Sequence, residues 1–147
     1  MMASDGPKTE ETFSVFEALG MMMAVAMDSH YSDWSISEVE KHIVPALKSG
    51  QYKVYCNNQS VPVAFVTWAL LDDECHEAML TQARNPPADR WAAGKHLWVM
   101  DLVAPYGDAQ RVGRDLQRNL FPDMLGHAIR RDPDGRAVRI AKWRGRA

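Results

Sequence analysis

Residues 97–107 read Leu97-Trp98-Val99-Met100-Asp101-Leu102-Val103-Ala104-Pro105-Tyr106-Gly107, an apolar run with one carboxylate near its middle. A strand turns successive side chains to opposite faces, so Leu97, Val99, Asp101 and Val103 are expected on one face and Trp98, Met100, Leu102 and Ala104 on the other. Both faces are apolar, which predicts a central strand covered on both sides. A carboxylate there loses much of its hydration and needs a charged or hydrogen-bonding partner, or a proton. Pro105 stops the pairing and Gly107 permits a sharp turn. Any fold for this chain has to accommodate Asp101.

The 147 residues suit one domain with a real core. Hydrophobic residues make up 46% and charged ones 24%, an ordinary balance for a globular protein. Cys56 and Cys75 have neither metal nor redox spacing and read as small buried residues, consistent with a reducing cytoplasm. The N-terminus is acidic with no basic stretch before an apolar one, so no secretory signal is expected. The apolar run Leu19 to Met27 is too short to span a bilayer, so no stable membrane insertion is expected. The net charge of −2 conceals an asymmetry. Residues 1–110 hold 7 Lys and Arg against 15 Asp and Glu, whereas residues 111–147 hold 10 against 4. The basic end is either an ordinary solvated surface or a dock for an acidic partner. Nucleic acid is a poor candidate, since neither zinc-finger spacing nor an aromatic-studded RNA signature is present.

In chain order, residues 1–11 are polar and read as a flexible segment, with one domain over 12–147. Phe13, Phe16, Leu19, Met23 and Met27 recur at helical spacing and predict a helix over about 12–27, ended by Asp28-Ser29. A loop follows, Ser29-His30-Tyr31-Ser32-Asp33-Trp34. Ser35 or Ser37, with Glu38 or Glu40, makes a capping box for a helix to about Ser49, bent at Pro45 and stopped by Gly50. Residues 51–56 and 61–70 form a hairpin around Asn57-Asn58-Gln59-Ser60. Asp72 or Asp73 caps a helix over 72–83. After the central strand, Asp108 caps a helix over about 109–120. Residues 126–131 and 136–143 are strands joined by a turn at Asp132-Pro133-Asp134-Gly135. The order predicts an α/β domain with a mainly antiparallel mixed sheet flanked by helices and one strand–turn–helix crossover. Gln110-Arg111-Val112-Gly113-Arg114-Asp115 opens the crossover helix, where free backbone N–H groups favour anions.

Trp98-Val99-Met100-Asp101-Leu102-Val103-Ala104-Pro105-Tyr106-Gly107-Asp108 resembles the Trp-x-x-Asp-x-x-Ala-Pro-Phe-Gly-Asp segment of the toxin-activating lysine acyltransferases, which activate RTX protoxins such as haemolysin. Further similarities follow in the same order. His30-Tyr31-Ser32-Asp33-Trp34 is similar to that family's His-Arg-Asn/Asp-Trp loop, with one extra residue before the tryptophan. Ile43-Val44-Pro45-Ala46 with Gly50-Gln51-Tyr52, Val61-Pro62-Val63-Ala64-Phe65-Val66-Thr67-Trp68-Ala69, Phe121-Pro122-Asp123 and Ala128-Ile129-Arg130 resemble other family segments. The resemblance spans about residues 19–145. The Gln110–Asp115 loop also resembles the pyrophosphate-holding loop of Gcn5-related N-acetyltransferases, with Asp115 in place of its last small residue.

The resemblance implies a fold like that of the Gcn5-related N-acetyltransferases and transfer of a fatty acyl chain from acyl carrier protein to internal lysines of an RTX protoxin. It implies His30 and Asp101 as the catalytic pair, no metal, no permanently bound cofactor, and room for a homodimer. The chemistry agrees with the residues. A lysine must lose its proton to attack a thioester, a histidine can take it or briefly carry the acyl group, and a strand carboxylate can orient and stabilise the imidazole. Arg111, Gly113, Arg114 and Arg118 are the expected binding set for the donor, because acyl carrier protein is acidic. Two other functions remain open: a coenzyme-A-dependent N-acetyltransferase and a non-catalytic escort protein for a toxin. His42 and His76 read as surface residues. Met21, Met22, Met23 and Met27 read as core filler or as the lining of an acyl channel.

Overall fold

A computed structural model of the protein describes residues 14–131 and 136–146. The N-terminal segment over 1–11 and the turn at 132–135 lie outside the described residues. Helix α1 spans Val15–Ala26 and begins at a capping box in which the Ser14 hydroxyl accepts from Glu17 N–H and the Glu17 carboxylate accepts from Ser14 N–H. Helix α2 (Ile36–His42) begins the same way at Ser35 with Glu38. The expected single bent helix is in fact two. Pro45 falls in the first turn of a separate helix α3 (Val44–Ser49), where its missing N–H costs nothing, and the break falls at Ile43. Gly50, at φ 72°, ends α3 in the left-handed conformation.

Strands β1 (Tyr52–Cys56), β2 (Pro62–Leu71), β3 (His96–Val103), β4 (Leu125–Arg131) and β5 (Ala137–Arg144) form one sheet in that order. All neighbours are antiparallel except β3 and β4. Helix α4 (Asp73–Gln82), capped by Asp72, joins β2 to the β3 side. Helix α5 (Ala109–Asp115) and a π turn over Leu116–Leu120 make the crossover from β3 to β4. Asp108 does not cap α5; its carboxylate lies 3.9 Å from Arg111 Nε instead.

The sheet is covered on both faces. Ala18, Met22 and Val25 of α1 pack with Ile43, Val54, Phe65 and Val103, while Cys75 and Met79 of α4 pack with Ala46, Ala69, Leu71 and Trp98 along the same face. Val112 and Leu116 of the crossover cover Tyr55, Ala64, Val66 and Val99 on the other.

One irregularity changes which face Asp101 occupies. Thr67 pairs with Asp101 and the next residue, Trp68, pairs with Val99, so Met100 is an extra residue bulged out of β3. A bulge inverts the alternation beyond it. Val99 therefore packs towards α5, whereas Val103 packs towards α1, and the expected shared face for Leu97, Val99, Asp101 and Val103 is corrected: Asp101 and Val103 join the face of Trp98. The parallel pairing of β3 with β4 runs from Leu97 to Val99 and stops at the bulge, leaving β3 paired with β2 alone where it carries Asp101. No helix among the described residues is long and apolar enough to cross a membrane.

Candidate active site

The end of α1 builds one wall of the site. Ser29 Oγ donates to the Ala26 carbonyl at 2.8 Å and accepts from Tyr31 N–H at 3.0 Å, turning the chain sharply and leaving His30 exposed. The exit of β3 builds the other. Tyr106 Oη donates to the Asp28 carboxylate, tying this exit to the histidine loop. Gly107, at φ 97°, takes the left-handed turn that a side chain would resist. Between the walls lies a cleft of about 370 Å³ lined by Asp28, Ser29, His30, Leu102, Val103, Ala104, Pro105 and Ala109. It is open, and His30 stands at its wall.

Asp101 lies behind that wall, 9% exposed. Burial pushes its carboxyl up to about 7, against a downward pull from a Tyr31 hydrogen bond and the Arg131 charge. Tyr31 Oη donates to Asp101 Oδ1 at 2.6 Å, and Asp101 N–H donates to Thr67 Oγ1 at 3.1 Å. Burial and then the Asp101 charge hold the Tyr31 phenol above its ordinary range, so it stays a donor. The ring of His30 meets that of Tyr31 edge-on, with centroids 4.2 Å apart. The loop thus brings His30 and Asp101 to one end of β3, but the hydrogen bond to the carboxylate comes from Tyr31 and not from the imidazole. Sequence reading passed over Tyr31; its place beside the loop histidine was the only available signal.

The chain belongs to the RTX toxin acyltransferase family, which matches residues 11–144. It is 34% identical over 131 residues to the RTX-I toxin-activating lysine-acyltransferase ApxIC of Actinobacillus pleuropneumoniae, covering 88% of this chain and 75% of that protein. The protein-lysine palmitoyltransferase CyaC of Bordetella bronchiseptica is 30% identical over 135 residues, covering 90% and 72%. The leukotoxin-activating lysine-acyltransferase LktC of Mannheimia haemolytica, serotype A1, is 28% identical over 134 residues, covering 90% and 79%. An acyltransferase of this family needs a base for the attacking amine and a place for the acyl donor. His30, open to the cleft, has the chemistry for the first.

The second set of expected residues lies elsewhere on the crossover. A groove of about 440 Å³ is lined by Lys53, Tyr55, Cys56, Arg111, Arg114, Asp115, Arg118 and Asn119. Gly113 is not part of this lining; a methyl group built on it meets nothing within 4 Å, so no close backbone approach requires glycine there. Asp115, in the place of a small loop residue, accepts from Lys53 Nζ at 2.8 Å, Tyr55 Oη at 2.5 Å and Asn119 Nδ2 at 2.7 Å. Burial pushes its carboxyl up, but these three bonds together outweigh burial and hold it below the usual range. With Asp115 matched to Lys53, Arg114 and Arg118 have no acidic partner among the described residues. Ala109 at the start of α5 lines the histidine cleft, so one helix borders both depressions.

His42 and His76, expected on the surface, are each partly covered. His42 is half-buried and stacks on Trp34 at 5.1 Å, and burial lowers its pKa. His76 is half-buried and stacks on His96 at 3.8 Å, its Nδ1 accepting from Trp98 Nε1 at 2.9 Å. Of the methionines, Met22 is fully buried in the core and Met27 is 71% exposed. No group of three His, Cys, Asp or Glu among the described residues has metal-binding geometry.

Proposed function

We propose that the protein moves a fatty acyl chain from acyl carrier protein to the ε-amino group of internal lysines in an RTX protoxin, and that His30 and Asp101 carry the reaction. The observation that supports this most is that an exposed imidazole and a buried carboxylate lie at one end of β3, both in contact with Tyr31, beside an open cleft. A lysine amine is almost wholly protonated at neutral pH, whereas an imidazole is half-neutral near pH 6.5 and can accept its proton. The imidazole releases that first proton to solvent, the neutral nitrogen attacks the thioester carbonyl and the C–N bond forms; the imidazole then takes the second proton from the nitrogen and delivers it to the thiolate as the C–S bond breaks. The Asp101 carboxylate stabilises the imidazolium between the two transfers.

The groove carrying Arg111, Arg114 and Arg118 receives the acidic carrier, with Gly113 a spacer on the same helix. The sheet, its bulged central strand and the crossover helix are consistent with kinship to the Gcn5-related N-acetyltransferases. The reduced thiols Cys56 and Cys75 suit a cytoplasmic enzyme. The test is mass spectrometry of a protoxin fragment incubated with the protein and a long-chain acyl carrier protein. Long acyl mass on lysine, absent with His30→Ala, supports the reading. Acetyl mass from coenzyme A alone, or binding without any acylation, contradicts it.

A further inference from the structure

Tyr31 occupies the space between the two residues assigned to the chemistry, and both of its ends are engaged. Its hydroxyl is 2.6 Å from Asp101 Oδ1, and its ring meets the His30 imidazole at 4.2 Å with an interplanar angle of 63°. On its other side Trp34 stacks on it at 4.2 Å and 12°, and its backbone N–H is held by Ser29 Oγ. A side chain gripped at the ring, the hydroxyl and the backbone has one available position.

We propose that Tyr31 is the positioning residue of this site: its hydroxyl fixes the buried Asp101 carboxylate, and its ring fixes the plane of the His30 imidazole, so the carboxylate is set against the imidazole through the phenol. This rests on the acyl-transfer reading above. A hydrogen bond donated to a carboxylate favours the ionised form. With burial raising it and the phenol bond and Arg131 lowering it, Asp101 is near half-ionised at neutral pH, so the phenol bond bears directly on how much carboxylate is present. The ionisable and charged groups facing Asp101 are few. Tyr31 comes from the loop after α1, with His30 beyond it, and Arg131 comes from the end of β4; His42 of α2 feels Arg131 but lies behind Trp34. Thr67 of β2 contributes an uncharged hydroxyl.

Tyr31→Phe keeps the ring and removes the hydroxyl. Carbon-13 NMR of labelled aspartate reads the Asp101 midpoint without reference to activity. Loss of the bond is expected to move that midpoint upwards by about one pH unit, and the acidic limb of the kcat profile with it. At pH 7 kcat then falls about fivefold while KM for the acyl donor is unchanged, since the ionised fraction drops by that much. Adding Tyr31→Phe to Asp101→Asn is expected to produce no further change in the profile. Difluorotyrosine at position 31, a stronger donor of the same shape, is expected to move the midpoint down, and it serves as the readout if Tyr31→Phe fails to fold. An Asp101 midpoint and acidic limb unmoved by either substitution would overturn the proposal. A wild-type protein that acylates nothing would sink the functional reading instead and leave the titration result standing.

Discussion

The two ends of β3 both carry histidines, and they use them in opposite ways. At the far end Asp101 is buried, His30 projects into a cleft, and Tyr31 stands between them. At the near end His96 of β3 stacks on His76 of α4, and His127 of β4 stacks on Trp98 at 4.9 Å. There one nitrogen of each ring is committed. Trp98 Nε1–H donates to His76 Nδ1, His127 Nδ1 donates to the Leu97 carbonyl at 3.3 Å, and His96 Nε2 is 2.8 Å from Asp73 Oδ1. An accepting Nδ1 cannot carry a proton, so the Trp98 bond requires His76 to be neutral. Among the described residues no hydrogen bond reaches the His30 ring. The number of imidazoles in a region therefore says little about chemistry; what counts is a ring nitrogen left free where a substrate can approach it.

The largest expected effect separates the ends by activity. His30→Ala should reduce acyl transfer by about a thousandfold, as loss of a general base does, with the melting temperature unchanged because the side chain is exposed. Equal loss from His76→Gln, measured in the same assay, would break the contrast.

Asp101 should next show that the reactive end is held at a cost to stability. Its folded-state pKa of about 7 lies above the ordinary carboxylate value, so the penalty for the ionised form grows as pH rises from about 4 through 7. Asp101→Asn should therefore be the more stable protein at pH 8, by a few kcal/mol at most (about 4 from the size of the shift), and no more stable at pH 4. Calorimetry across that range gives the comparison directly.

The near end should answer to acid in the other direction. Burial first, then His96 and His127, lowers the His76 pKa, so its neutral form favours the fold above about pH 6.5 and that stability is lost as pH falls. His76→Ala leaves the Trp98 N–H without its acceptor and should cost about 2 kcal/mol at neutral pH. His76→Gln offers a carbonyl to the same N–H, and its melting temperature should change less between pH 7 and pH 5 than that of the wild type. The smallest effect belongs to the basic groove. Arg114→Glu with Arg118→Glu should raise KM for acyl carrier protein about tenfold at low salt, less at high salt, and leave that for a small thioester alone. An equal change for both donors removes the groove from donor binding.

Much of this was readable in the sequence, and the exceptions have physical causes. Capping boxes at Ser35 and turn signals at Gly50 are local, so they placed elements within a few residues of where they fold. The sheet's one parallel pairing followed from a strand–helix–strand order. The face of Asp101 did not, because the bulge at Met100 is a register mismatch with β2 and register is set between strands, not along one. Pro45 was recognised as a fault but not as a helix start, since the break depends on how Ile43 packs in the core. The histidine cluster joins α4, β3 and β4, residues 76 to 127, and no spacing rule could have assembled it. Tyr31 was missed because its partner lies 70 residues away.

The most direct test is a single-turnover acyl-transfer rate at pH 7 for Asp101→Asn beside His76→Gln, each confirmed folded. With the carboxylate end reactive and the histidine cluster structural, Asp101→Asn should lose at least about a hundredfold and His76→Gln should stay within about twofold of the wild type. Full activity in Asp101→Asn, or a matching loss in His76→Gln, would contradict this assignment of the two ends.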